Sequence, residues 1–261
     1  MITLLTDFGL RDGYVGTMKG VIASIAPATR VVDICHDVAP QDLQHAGVAW
    51  GAALPYFPRG CVHVAVVDPG VGTRRRLLLF RARGSVFLVP DNGLIGYVLS
   101  RREIRDVIHI KNRRYFLPEV SATFHGRDIF APVAARLAAG LEPSSLGPSI
   151  TVYRRNTLPR PRRRQVQKRP RVVEERGEVL YVDGFGNVVI NIRPQSTARF
   201  RRLNGPGFEA RRLRRTYGDV PPGELVVFVG SMGWLEIACH GGNAAEVLGW
   251  SRGERISVRW G

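Results

Sequence analysis

Cysteine pairs, lysine, long apolar runs and the common catalytic signatures are all scarce or missing in this chain. The cysteines are Cys35, Cys61 and Cys239, odd in number and without C-x-x-C spacing. A disulfide framework and a structural zinc site are thereby disfavoured, and a reduced, cytoplasmic protein is expected. No apolar run approaches the roughly 20 residues of a membrane span. Asp7 and Arg11 interrupt the apolar start, so no signal peptide is expected. Lysine occurs only at 19, 111 and 168. There is no glycine-rich dinucleotide turn, Walker-type loop, G-x-S-x-G elbow or H-E-x-x-H helix, and each absence disfavours its chemistry. His36-Asp37 could suggest a metal phosphohydrolase pair, but no second histidine cluster supports it. No metal site is expected.

What is present is glycine and arginine. The 261 residues include 29 glycines, and Lys+Arg exceeds Asp+Glu by 38 to 22, a formal charge of +16. Such a balance suggests a nucleic acid, a membrane surface or an anionic ligand, or else a solvated arginine-rich surface. The basic runs lack interleaved aromatics, which favours the solvated surface over a nucleic-acid partner.

Apolar strands alternate with helices in the first half. Strands are expected at 2–5, 31–34, 62–67, 77–80 and 86–89, and helices at 15–26, 41–54 and 129–139. The pattern predicts an α/β fold with a Rossmann-like, largely parallel sheet covered on both faces. From 154 to 171 the chain turns basic and proline-rich, as in Pro159-Arg160-Pro161-Arg162-Arg163-Arg164. That stretch reads as an exposed linker or, more sharply, as a basic arm for RNA. Beyond it, strands at 179–182, 188–192, 225–229 and 256–258 predict a smaller all-β, barrel-like domain. The expected division is 1–153, a linker over 154–172, and 173–261.

Ligands in open α/β sheets sit beyond the carboxyl ends of strands. Asp7 and Asp68 lie just past two such ends. Arg74–Arg76, His125-Gly126-Arg127-Asp128 and Asp183 with Asn187 form the other polar loop clusters. Singly, each has an ordinary reading: a cap or turn for the aspartates, a solvated surface for the arginines, a structural hydrogen bond for the histidine.

Six ordered motifs give these clusters a common meaning. They are Leu4-Leu5-Thr6-Asp7-Phe8-Gly9, Val66-Val67-Asp68-Pro69-Gly70-Val71-Gly72, Pro90-Asp91-Asn92-Gly93, Phe124-His125-Gly126-Arg127-Asp128-Ile129-Phe130-Ala131-Pro132, Asp183-Gly184-Phe185-Gly186-Asn187 and Ser231-Met232-Gly233-Trp234-Leu235-Glu236-Ile237-Ala238. Over nearly its whole length the chain resembles the S-adenosyl-L-methionine hydrolase (adenosine-forming) family, also called SAM hydroxide adenosyltransferases, relatives of the fluorinases and chlorinases. The resemblance implies a hydrolytic triad of Asp68, Arg75 and His125, and hydrolysis of S-adenosyl-L-methionine to adenosine and L-methionine without a cofactor. It implies that Asp7 grips the ribose hydroxyls, that Phe185 packs on adenine and Asn187 reads its edge, and that Asp183 and Ser231 lie near the methionine end. Trp234 is either a stacking wall or core, and Glu236 either a ligand or a satisfied strand residue. Met232 stands where relatives often carry a polar residue. The halogenases carry Tyr where this chain has Asp68, and fluorinases a halide-binding Ser where it has Gly126. The family's trimers, with sites between neighbouring subunits, imply a homotrimer here. The alternatives are a halide-using relative, an RNA- or nucleotide-binding protein using the basic segment, and a sensor without turnover.

Overall fold

The computed structural model describes residues 1–168 and 171–261. The chain divides into two compact units, Met1–Thr157 and Leu158–Gly261.

Unit 1 is built on a six-stranded sheet of β1 (Ile2–Thr6), β2 (Val31–Cys35), β3 (Val62–Val66), β4 (Leu77–Ala82), β5 (Ser85–Pro90) and β6 (Ile104–His109), in the order β2-β1-β3-β5-β4-β6. The β1–β2, β1–β3 and β3–β5 pairs are parallel, and β4 runs antiparallel to β5 and β6. The sheet is therefore largely parallel, as the alternating pattern predicts. Successive side chains on a strand point to opposite faces. Leu4, Val64 and Val66 enter one core with Met18 and Ile22 of α1 (Tyr14–Ile25) and Val133 and Ala134 of α4 (Ala131–Ala138). Leu5, Ala65 and Val67 enter another, with Ala46 and Trp50 of α2 (Leu43–Ala53) and Ile95 of α3 (Ile95–Val98). Both faces are covered, which is why β3 reads as a continuous apolar run. Asp42 caps α2, accepting from the backbone N–H of Gln44 and His45.

Helix α4 starts irregularly, and proline is the reason. Pro132 has no N–H to donate to the carbonyl four residues back. That carbonyl, of Asp128, instead accepts the Leu117 N–H at 2.9 Å. The chain enters α4 through a π-helical turn over Gly126–Phe130, closed by the Ala131 N–H on the Gly126 carbonyl. Such widened turns gather at functional sites, and this one holds Gly126 beside His125.

Unit 2 is an eight-stranded, barrel-like antiparallel sheet with the path β11-β10-β14-β8-β9-β13-β12, and β7 paired to β8 off that path. Its strands are β7 (Arg162–Gln167), β8 (Val172–Val182), β9 (Val188–Ile190), β10 (Phe200–Gly205), β11 (Phe208–Ala210), β12 (Leu225–Val229), β13 (Leu235–Cys239) and β14 (Arg255–Trp260). One short helix, α5 (Ala244–Leu248), accompanies them. Val179, Val188, Ile190, Leu235, Ile237 and Val258 form the centre of the core. The basic segment expected as a linker carries a strand: β7 lies on β8 with Arg163 opposite Glu175 and Arg164 opposite Glu174. Residues 169 and 170 of that segment lie outside the described residues. No helix among the described residues is long and apolar enough to cross a membrane.

Candidate active site

The alternation of β3 puts position 68 on the same face as Val64 and Val66, just past the strand's carboxyl end. The chain then folds back on itself. The Asp68 Oδ1 accepts the Gly70 N–H at 3.2 Å, and backbone turns close from Val71 to Asp68 and from Thr73 to Gly70. Gly72 sits at φ 80°, where a side chain is disfavoured, and a Cβ there would lie 3.1 Å from the Ala122 carbonyl oxygen. This tight loop returns Arg75 to Asp68.

Arg75 Nε donates to Asp68 Oδ2 at 2.5 Å, and Nη2 of the same guanidinium pairs with that oxygen. The two side chains are 6% and 5% exposed. Arg75 Nη2 also donates to His125 Nδ1 at 2.8 Å. The neighbouring arginines are elsewhere: Arg76 makes a two-pronged contact with the buried Asp91 at 2.8 and 2.6 Å, and Arg74 is exposed. Of the three arginines, Arg75 is the one that meets Asp68.

The guanidinium fixes the histidine's tautomer. Arginine only donates, so Nδ1 is the acceptor and the proton of the neutral ring is on Nε2. Burial, with Arg75 second, pushes the His125 pKa below its usual value, and the Asp68 charge opposes this. Asp68, Arg75 and His125 thus form one connected chain, with a neutral imidazole at its end.

A cavity of about 420 Å³ opens beside it, lined by Asp7, Phe8, Tyr14, Asp68, Phe124 and His125 among others. That volume suits a small molecule. The rings of Phe8, Tyr14 and Phe124 pack mutually, with centroids 5.1 to 5.9 Å apart. Asp7 Oδ2 accepts the Gln41 N–H at 2.8 Å, and Gln41 has φ 63°. A non-glycine residue in that region is strained, and such strain gathers at ligand sites. A Cβ on Gly126 would lie 3.2 Å from both Met18 Sδ and Phe8 Cε2, so the cavity wall is already filled there.

Two supporting residues carry no role in the sequence reading. Asn92 Nδ2 donates to the Val67 carbonyl at 2.7 Å and so holds the peptide immediately before Asp68. Thr6 Oγ1 bonds His36 Nδ1 at 2.8 Å and accepts the Phe8 N–H at 3.2 Å, tying down the loop that carries Asp7. The Pro90-Asp91-Asn92-Gly93 motif is the signal for the first, and the Leu4-Leu5-Thr6-Asp7-Phe8-Gly9 motif for the second.

The remaining candidates belong to unit 2. Asp183 builds its own turn: Oδ1 accepts the N–H groups of Phe185 and Asn187, each at 2.9 Å, and Oδ2 accepts Asn187 Nδ2 at 2.8 Å. The same amide nitrogen reaches the Tyr217 hydroxyl at 3.1 Å. The turn leaves Phe185 83% exposed. Ser231 is exposed, and Met232 Sδ receives the Tyr181 hydroxyl at 3.8 Å. Trp234 is buried, with the Arg193 guanidinium 4.9 Å over its ring. Glu236, on β13, is 7% exposed, and its carboxylate packs where a Gly230 side chain would be. Burial, then the Asp183 charge, raises its pKa to about 6. Among the described residues no group of three or more His, Cys, Asp or Glu converges as a metal site would require.

Comparison with known proteins supplies the context. Residues 2–147 match the SAM hydroxide adenosyltransferase N-terminal domain, and residues 177–257 the SAM hydroxide adenosyltransferase C-terminal domain. The chain is 41% identical over 268 residues to the (R)-S-adenosyl-L-methionine hydrolase of Salinispora tropica, covering 100% of this chain and 98% of the relative. It is 41% identical over 266 residues to the enzyme of that name from Thermus thermophilus, covering 98% of each. A fluorinase of Nocardia brasiliensis is more distant, at 26% over 304 residues, with 100% and 97% covered. The crystal structure of an uncharacterized conserved protein from Thermotoga maritima superposes with a TM-score of 0.87 at 36% identity, covering 99% of each chain. The chain belongs to the SAM hydroxide adenosyltransferase family, whose two domains lie along it in order.

Proposed function

We propose that this protein hydrolyses S-adenosyl-L-methionine to adenosine and L-methionine by in-line attack of a water at C5′, and that Asp68, Arg75 and His125 hold that water. The observation that carries the reading is the hydrogen-bonded Asp68–Arg75–His125 chain at the edge of a small-molecule cavity. Full-length similarity to proteins named for this hydrolysis supports it.

The reaction is a displacement at a sulfonium. The water oxygen bonds to C5′, the C5′–S electron pair goes to sulfur, and the water's proton is released to solvent. The leaving thioether is neutral, so no general acid or Lewis acid has to assist it, and we propose that no cofactor takes part. The demanding partner is the nucleophile. Arg75 offers fixed positive charge that favours a hydroxide-like oxygen. His125, with its proton on Nε2, serves as a donor in this tautomer rather than as the base. Asp68 keeps Arg75 in place and offers its Oδ1 to the water. Alignment inside the cavity supplies the entropic part of the acceleration.

In the same reading Asp7 receives the ribose hydroxyls, one carboxylate accepting both. Phe185 and Asn187 hold adenine, and Asp183, Ser231 and Glu236 bind near the amino-acid end. Trp234 acts through its packing, since a ring stacking on it would have to displace Arg193. We infer a homotrimer from the family resemblance, and the exposed Phe185 is free to meet a neighbouring subunit in it. With three free thiols, we infer a cytoplasmic location. The filled wall at Gly126 disfavours a halide-binding serine there.

The test is chromatography of S-adenosyl-L-methionine incubated with chelator-treated protein. Adenosine and methionine should appear in equal amounts, and His125→Ala should reduce the rate at least a hundredfold. The wild-type rate should fall on the acid side with a midpoint below 6.5, because a protonated His125 can no longer accept from Arg75. A flat acid limb, or undiminished turnover by His125→Ala, would remove His125 from the mechanism.

A further inference from the structure

The loop that carries His125 into the cavity has no regular structure of its own. Residues 121–124 are neither helix nor strand, yet Thr123, Phe124, His125 and Gly126 all line the cavity wall. Their placement has to come from outside the backbone ladder, and the side chain of Asp128 supplies it. Asp128 is 0% exposed. A buried charge is costly unless it is paired and hydrogen-bonded, and the partners of this carboxylate lie in the same stretch of chain. Its Oδ2 accepts the Ser121 N–H at 2.8 Å. Arg127 donates to it twice, Nε to Oδ1 at 2.5 Å and Nη2 to Oδ2 at 3.1 Å.

These bonds close a ring. Ser121 Oγ accepts the Phe124 N–H at 2.9 Å, and the Phe124 carbonyl accepts the N–H of Asp128 at 3.1 Å. The Arg127 guanidinium stands 5.1 Å over the Phe124 ring and holds the same loop from its outer side. Two contacts join the ring to the triad. The backbone of Ser121 is hydrogen-bonded to the His125 imidazole. The Ala122 carbonyl oxygen lies 3.1 Å from the place of a Cβ on Gly72, so the loop rests on the turn that returns Arg75 to Asp68. The histidine and the arginine of the triad therefore lean on neighbouring residues, 121 and 122, of one loop.

The chemistry of the ring needs a carboxylate. Both donors, the Ser121 N–H and the Arg127 guanidinium, require acceptors, and an ionised carboxylate offers only acceptors. An amide in its place would turn its NH₂ toward one of them. Burial pushes the Asp128 carboxyl up, but the bonds from Arg127 and Ser121 outweigh burial and hold it below its ordinary value, so the charge is kept. We propose that Asp128 is a positioning residue for the hydrolysis: through Ser121 it fixes the 121–124 loop and so holds His125 against Arg75. Asp128 is not among the residues that line the cavity, and it acts through His125 rather than on the substrate. The proposal rests on the hydrolytic role of His125.

The experiment pairs kinetics with nuclear magnetic resonance of ring-¹⁵N-labelled histidine in the full chain, for the wild type, Asp128→Asn, Ser121→Ala and Ser121→Thr. In Asp128→Asn, kcat for S-adenosyl-L-methionine should fall about a hundredfold, the cost of a misplaced reacting group, while KM changes little because the ribose and adenine contacts are untouched. The His125 ring should lose the tautomer with its proton on Nε2, and its titration midpoint should rise toward 6.5. Burial and Arg75 are the two largest influences lowering it, and their loss outweighs the loss of the Asp128 charge, which raises it. Ser121→Ala should act in the same direction more weakly, and Ser121→Thr, which keeps the hydroxyl, should restore kcat. The Ser121 pair decides the matter if Asp128→Asn does not fold. The proposal is overturned if folded Asp128→Asn keeps the wild-type tautomer and midpoint of His125, or if the variants lower only the melting temperature and leave kcat unchanged. A wild type that does not turn over S-adenosyl-L-methionine would instead remove the hydrolytic reading, and the resonance titration would still show whether Asp128 holds His125.

Discussion

Glu236 is ionisable in a place where burial opposes its charge. Its side chain has no hydrogen-bond or ion-pair partner among the described residues, and its pKa is raised from 4.5 to about 6. A carboxyl group whose folded-state pKa lies above its unfolded value costs stability once both states are ionised. The cost is absent below pH 4.5, grows between 4.5 and 6, and is complete above that. A shift of this size corresponds to about 2 kcal/mol. Glu236→Gln should therefore stabilise the protein by about 2 kcal/mol at pH 7.5, with the gain vanishing near pH 4, as read by urea unfolding at the two pH values. If Glu236 also binds the substrate's cationic amino-acid end, the same variant should raise KM at least tenfold. A stabilised variant with an unchanged KM would reduce Glu236 to a strained core residue. At this scale the sequence was partly legible. The family resemblance singled out Arg75 beside Asp68, but the three consecutive arginines differ only in where the loop at Gly70–Gly72 turns them. Asn92 and Thr6 sit in recognisable motifs, but their partners, the Val67 carbonyl and the His36 ring, are distant in sequence and no local pattern encodes those contacts.

Among the elements, the entry to α4 shapes the site most directly. The π-helical turn exists because Pro132 cannot donate and the Asp128 carbonyl is taken by Leu117. Pro132→Ala restores a donor that competes for that carbonyl. The helix should then tighten, and removing the extra residue from the turn rotates His125 by about 100° relative to α4. Turnover should fall at least tenfold while thermal stability changes by only a few degrees, measured by parallel kinetics and calorimetry. Unaltered turnover would mean that the turn merely accommodates the proline. Periodicity placed a helix from 129 but did not reveal the widened turn, because a proline near a helix start is normally harmless. Strand β7 was hidden for another reason. Its Arg- and Pro-rich composition argues for a linker, and it becomes a strand because β8 presents Glu175 and Glu174 opposite Arg163 and Arg164. That pairing is tertiary and invisible to local propensity. Strands β1, β3, β4 and β5 were legible because burial makes them nearly continuous apolar runs, whereas β6, β10 and β11 are partly exposed.

For the molecule as a whole, a sheet covered on both faces fixes Asp7 and Asp68 at the ends of adjacent parallel strands β1 and β3. The cavity beside them is then filled in by loops that the sheet holds still. The second unit carries an exposed aromatic and a buried carboxylate on a separate antiparallel core. The central claim is that a water held by Asp68, Arg75 and His125 attacks C5′ directly. It is tested most directly by turnover of S-adenosyl-L-methionine in oxygen-18 water, with mass spectrometry of both products. The account predicts adenosine carrying one heavy atom at its 5′-oxygen and methionine carrying none. Unlabelled adenosine, or no adenosine above the spontaneous rate, would contradict it.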